Sequence, residues 1–173
     1  MRRFIVAAIG VGLLGAPTGL ASVAASAATT ATPAAAAAAA SWPVVKQGQS
    51  GERVRVIQLL LNNSGAHLTV DGKFGSSTTT AVKAFQRKKG LAVDGFVGSA
   101  TWTKLIVTIR QGNRGDAVMA VQHQLRYEDG YRTLLVDGIF GSGTTTAVKD
   151  FQRKHGLAAD GIVGTGTWRA LEA

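Results

Sequence analysis

The chain repeats itself. Val70-Asp71-Gly72-Lys73-Phe74-Gly75 returns as Val136-Asp137-Gly138-Ile139-Phe140-Gly141, and Thr78 through Lys83 returns as Thr144 through Lys149. Phe85-Gln86-Arg87-Lys88 returns as Phe151-Gln152-Arg153-Lys154, and Thr101-Trp102 with Leu105 as Thr167-Trp168 with Leu171, all at an offset of 66. Upstream the offset falls to 64: Gln47-Gly48 pairs with Gln111-Gly112, Gly51 with Gly115, Gln58 with Gln122 and Leu61 with Leu125. A fixed internal period marks one supersecondary unit used more than once. The chain therefore holds two like units, 42–106 and 107–173, and the second carries two extra residues in a loop between Leu125 and Asp137.

Each unit reads as three helices. Val54, Ile57 and Leu61 stand three and four residues apart, as do Val118, Val121 and Leu125, which is the spacing of one helical face. Glu52 and Asp116 fall in the opening turn, where a carboxylate meets the positive helix end. The second helix is predicted from about Ser76 to Lys89, with Thr78, Val82 and Phe85 inward and Gly90 as a left-handed stop. The third is short, from about Ser99 to Leu105, with Trp102 and Leu105 on one face. Asp-Gly pairs at 71, 94, 137 and 160 precede the second and third helices as turn builders. The expected fold class is all-α: two tandem small three-helix bundle domains with Asp-Gly loops. A domain of about 60 residues buries only about 60% of its unfolded surface. With only a few residues around Val107-Thr108-Ile109 between them, the units are expected to touch or to hold a restricted orientation.

The remaining residues are leader and spacer. Met1-Arg2-Arg3, an apolar stretch from Phe4 to about Val23, and small residues around Ala25-Ser26-Ala27 make a secretory signal peptide over 1–28, cleaved after Ala27 or Ala28. An uncleaved anchor is the alternative; Pro17 and the glycines at 10, 12 and 15 argue against a permanent spanning helix, so no stable membrane anchor is expected. Residues 29–41, Thr and Ala with one Pro and a final Ser, read as a flexible tether. Setting aside Arg2 and Arg3, the chain has 17 basic against 10 acidic residues, a net +7. An exported protein so basic expects polyanions outside the membrane.

Catalysis finds little support. With no cysteine, disulfides, thiolate zinc sites and cysteine nucleophiles are excluded. His67, His123 and His155 lack a His or Glu at helical spacing to complete a metal pair, and neither metal nor cofactor is expected. His155 stands where the first unit has Lys89, which suits an exposed cation. Phe85, Phe151, Trp102 and Trp168 are read as core by their spacing, and Trp42 as packing against the first helix. Tyr127 and Tyr131, in the second unit's loop region, are the aromatics left for base stacking, so no nucleic acid is expected as partner.

The ordered set Gln-Gly, Gly, Gln, Leu, then Asp-Gly-x-Phe-Gly with Ala-Val-x-x-Phe-Gln, then Asp-Gly-x-Val-Gly with Thr-Trp and Leu, resembles the peptidoglycan-binding domain type 1. This is a three-helix module often appended to bacterial and phage wall hydrolases, and the resemblance covers both units. One departure is Ser76 and Ser142 where many members have Pro. The resemblance implies a secreted or wall-associated, non-catalytic protein whose partner is peptidoglycan, at its stem peptide and adjoining amino sugar. Two alternatives remain open: a charge-driven binder of teichoic acid or another polyanion, and a targeting subunit or remnant of a wall hydrolase. The candidate ligand residues are Gln58, Asp71, Gln86, Arg87, Gln122, Asp137, Gln152 and Arg153. The glutamines either tie down loop carbonyls or hydrogen-bond a ligand in a shallow groove near the Asp-Gly loops. The arginines belong to the basic runs Arg87-Lys88-Lys89 and Arg153-Lys154-His155, which either complement helix ends or meet wall carboxylates and phosphates.

Overall fold

The computed structural model describes residues 41–173. The expected signal peptide and all but the last residue of the spacer lie outside the described residues. Six helices follow in order: α1 (Glu52–Asn63), α2 (Ser76–Lys88), α3 (Ser99–Leu105), α4 (Asp116–Tyr127), α5 (Ser142–Lys154) and α6 (Thr165–Leu171). Among the described residues the only β-type pairings are isolated bridges, so the class is all-α.

Each helix starts directly after a glycine, whose carbonyl accepts the first helical N–H, as in Thr79 N to Gly75 O (3.0 Å) and Trp102 N to Gly98 O (2.9 Å). At the far end of α2, Gly90 takes φ 67° and Leu91 N donates to Gln86 O (2.9 Å), closing the helix with its last carbonyls satisfied. Tyr127, expected in a loop, is instead the last residue of α4, because the two extra residues are absorbed after the helix has ended.

Extended segments strap each trio together. Val45 pairs with Val97 and Ile109 with Val163, bringing the start of each unit against the loop before its own short helix. The indole N–H of Trp102 donates to Pro43 O and that of Trp168 to Val107 O, both at 2.8 Å. Trp42 is buried and packs on the third helix. Its ring stacks on Trp102 with centroids 5.4 Å apart.

The two trios share one compact unit. Their seam is made by α1 and α4, the broadest helix–helix contact of the described chain. Accordingly α1 is apolar on more than one face: Val54, Ile57 and Leu61 serve its own core, while Val56, Leu59 and Leu60 are buried as well. Across the seam Arg53 Nε meets Glu172 Oε2 at 3.1 Å, His123 Nδ1 meets Glu52 Oε2 at 3.0 Å, and Arg169 lies 5.5 Å from the Trp42 ring.

Candidate functional site

One polar clasp occurs four times among the described residues. Gln58, Gln86, Gln122 and Gln152 each sit beside core residues with about 1% exposure. The amide Nε2 of each donates to the Oδ1 of an Asp-Gly loop: Asp71, Asp94, Asp137 and Asp160, at 2.7–2.9 Å. The same nitrogen lies 2.9–3.2 Å from the carbonyl two residues later, and 3.1–3.2 Å from the hydroxyl of Thr78, Thr101, Thr144 or Thr167. The amide oxygen accepts the glycine N–H at 2.8–2.9 Å. A buried amide must find partners on both ends, and this loop supplies them all.

The carboxylates respond to the same geometry. The Gln58 side chain and the Lys73 backbone N–H hold Asp71 below the usual carboxylate range. For Asp94 and Asp137 the backbone N–H of Phe96 and Ile139 leads, with the glutamine second. The loop closes tightly: Gly72 takes φ 72°, and a Cβ there would stand 3.2 Å from Gly51 O.

Beside these clasps each trio carries the same groove. In the first it occupies about 600 Å³ between the loop after α1 and the outer face of α2, with His67, Leu68, Thr80, Ala81 and Ala84 along it and Lys88 at its end. A second depression of about 490 Å³ shares His67, Leu68, Ser76 and Ser77 and runs on to Asp71 and Lys73. In the second trio one groove of about 560 Å³ uses the equivalent Thr133, Leu134, Thr146, Ala147 and Asp150, and reaches Asp137 and Ile139.

The two grooves end differently. Asp150 replaces Ala84, and it accepts from Tyr131 Oη at 2.9 Å and meets Lys154 Nζ at 2.8 Å. Lys154 also lies 4.8 Å from the Tyr131 ring centroid. Lys154, with Tyr131 second, holds Asp150 below the carboxylate range, and Asp150 raises the lysine. Burial, and then the carboxylate, raise the phenol of Tyr131. Tyr131 belongs to the lengthened loop of the second unit.

The expected ligand residues divide three ways. The four glutamines are internal and spend their amides on the loops, the first of the two roles that the sequence allowed them. Asp71 and Asp137 are exposed at the loop end of the grooves, each with Oδ1 engaged by the clasp. Arg87 and Arg153 are exposed near the ends of α2 and α5 but line neither groove, and Arg153 approaches Asp150 at 3.5 Å. Gln86 and Gln152 serve Asp94 and Asp160, which sequence reasoning did not select. The signal was present: Asp-Gly-x-(Phe or Val)-Gly-x-x-Thr occurs at 71, 94, 137 and 160, so each unit is itself a doubled half. The groove residues His67 and Ala84 were also missed, whereas Lys88 belongs to the basic run Arg87-Lys88-Lys89 at the end of the helix. Both missed positions are where the copies differ, with Thr133 and Asp150 as counterparts.

The histidines are dispersed: His67 at the groove, His123 at the seam, and His155 stacked on Phe151 with centroids 4.1 Å apart. Among the described residues no three His, Asp or Glu side chains gather as a metal site, and no helix is long and apolar enough to cross a membrane.

An N-acetylmuramoyl-L-alanine amidase, CwlM of Mycobacterium tuberculosis, is 43% identical over 110 residues, 57% of this chain and 27% of its own length. The amidase CwlL of Bacillus licheniformis is 33% identical over 162 residues, 75% of this chain and 45% of its own length. The chain thus spans less than half of either relative. A crystal structure of a peptidoglycan-binding protein from Clostridioides difficile, in complex with glutamine hydroxamate, is 44% identical over 36% of this chain and 40% of its own, with TM-score 0.36. The peptidoglycan binding domain family matches twice, at residues 50–105 and 114–171, more than half the chain. This chain belongs to the peptidoglycan binding domain family, with two tandem copies of the domain.

Proposed function

We propose that the protein is a secreted, non-catalytic binder of peptidoglycan that uses its two domains together. The observation that carries this reading is the double family match, at residues that hold the same clasped loops and the same groove twice. The groove between the loop after the first helix and the outer face of the second is the proposed seat for the wall's peptide and adjoining amino sugar. Backbone groups of the Asp-Gly loop lie at one end and small side chains along the floor. A polymer offers many copies of a weak site. Two linked millimolar sites then gain about 10²-fold or more by effective concentration.

The test is co-sedimentation of the mature chain with sacculi stripped of teichoic acid, at about 0.15 M and about 0.6 M salt, which shortens the Debye length from about 8 Å to below 5 Å. Retention at both salts is the expected result. Loss on stripping or at high salt assigns the binding to the net positive charge and to polyanions such as teichoic acid. The amidase relatives favour a second reading, in which the chain targets or derives from a wall hydrolase. Release of soluble muropeptides by the purified chain, or its recovery with a hydrolase, would establish that reading instead.

A further inference from the structure

The two domains share a groove but not its charge. At the end of the first groove Lys88 faces Ala84 across one helical turn, and its ammonium makes no ion pair or hydrogen bond among the described residues. At the equivalent place Lys154 is bound by Asp150 at 2.8 Å and lies over Tyr131, which donates to the same carboxylate. At the other end Lys73 stands beside Asp71 in the depression that continues the first groove, where the second groove has the uncharged Ile139. Along the floor His67 is replaced by Thr133. One groove thus ends in a cation with an open coordination shell. The other has neutralised the same cation with its own carboxylate and roofed it with a tyrosine supplied by the lengthened loop.

Resting on the peptidoglycan-binding reading, we propose that ligand recognition is divided between the domains: the first groove binds a free carboxylate of the wall peptide through Lys88, and the second accepts only an uncharged stretch. An ammonium on a groove rim, already beside apolar and hydroxyl side chains, gains from a carboxylate what Lys154 gains from Asp150. A ligand carboxylate entering the second groove would compete with Asp150 for Lys154 and meet its negative charge. At the Lys88 end the device that separates the two is position 84 against 150, reinforced by Tyr131.

The experiment uses the full chain labelled with ¹⁵N. It is titrated with a soluble disaccharide-peptide fragment of peptidoglycan bearing free carboxylates, and with the same fragment amidated. Amides of Leu68 and Ala84 report the first groove, those of Leu134 and Asp150 the second. The free acid is expected to shift the first pair and to bind it roughly fivefold more tightly than the amide, the scale of an exposed ion pair. Lys88→Gln should abolish that preference, and Ala84→Asp should do so by capturing Lys88. Asp150→Ala, by releasing Lys154, should confer the preference on the second groove. Equal affinity for acid and amide, the same preference in both grooves of the parent chain, or a preference that survives Lys88→Gln would overturn the division. So would shifts in neither groove; if the same preparation still sediments with sacculi, the wall-binding reading stands and only the groove assignment falls.

Discussion

At the scale of the residue, the clasping glutamine organises the chemistry. Its amide satisfies an aspartate, a carbonyl and a glycine N–H that would otherwise be left in or near the core, and an orphaned buried polar group costs about 1–3 kcal/mol. Gln58→Ala should therefore destabilise the chain by that amount in urea unfolding, whereas Arg87→Ala with Arg153→Ala, both exposed, should leave unfolding nearly unchanged. Since neither arginine lines a groove, that double variant is expected to keep its retention on sacculi at normal helicity; weakened retention would give the helix ends a binding role outside the grooves. Acid supplies a second reading of the clasp. Asp71, Asp94 and Asp137 have native pKa values below their ordinary 3.8. The unfolded chain takes up their protons first, so their contribution is present above about pH 4 and lost as pH falls through the lowered native values. Since Gln58 is the leading cause for Asp71, Gln58→Ala should move the acid unfolding midpoint to higher pH; an unmoved midpoint would mean that the amide contributes nothing to the carboxylate's state.

At the scale of the element, glycine sets the boundaries. Each helix begins behind a glycine, and the Asp-Gly loops depend on positive φ at positions such as Gly72, where the strap at Gly51 comes within contact distance. Gly72→Ala combines a left-handed backbone with that close approach. It is expected to cost on the order of 1–3 kcal/mol, read as a lower midpoint in thermal unfolding, against little change at Gly75, where a Cβ meets open space. This is also why the fold was legible. Helix starts at Ser76 and Ser99 follow from glycines and apolar spacing that the sequence prints twice. The site was legible only in part. Gln58 and Gln86 stand out as repeated polar residues beside core positions, but their side-chain partners lie 13 and 8 residues away, a pairing that needs the half-unit repeat to be seen. The groove was hidden for the opposite reason: residues such as Ala84 and His67 are where the copies disagree, and repetition draws attention to agreement. The seam was hidden too, since Leu59 and Leu60 align with His123 and Gln124, so neither helix announces a face for the other.

At the scale of the whole molecule, the seam joins two marginal domains. Burial pushes the Glu172 carboxyl up to about 7, with the Arg53 guanidinium opposing it from the other domain. The folded chain thus holds a proton that the unfolded chain has released above its ordinary 4.5. Stability contributed by this group is full below about pH 4.5 and declines as pH rises through about 7. Glu172→Gln should remove that decline and flatten the stability profile across the window; a profile that keeps its slope would place the proton elsewhere. Because α1 and α4 share buried surface, urea is expected to unfold both domains in one transition when followed by amide signals from each.

The same seam makes the chain a caliper. Where two binding units hang on a flexible linker, the second unit takes a site at any reachable distance along the polymer, and avidity depends on linker length. Here Arg53, Glu172, Glu52 and His123 tie the two domains together along the seam of α1 and α4, so the span between their grooves is a property of the folded protein. Wall material whose repeat matches that span is held at both ends, and material of another pitch is held at one.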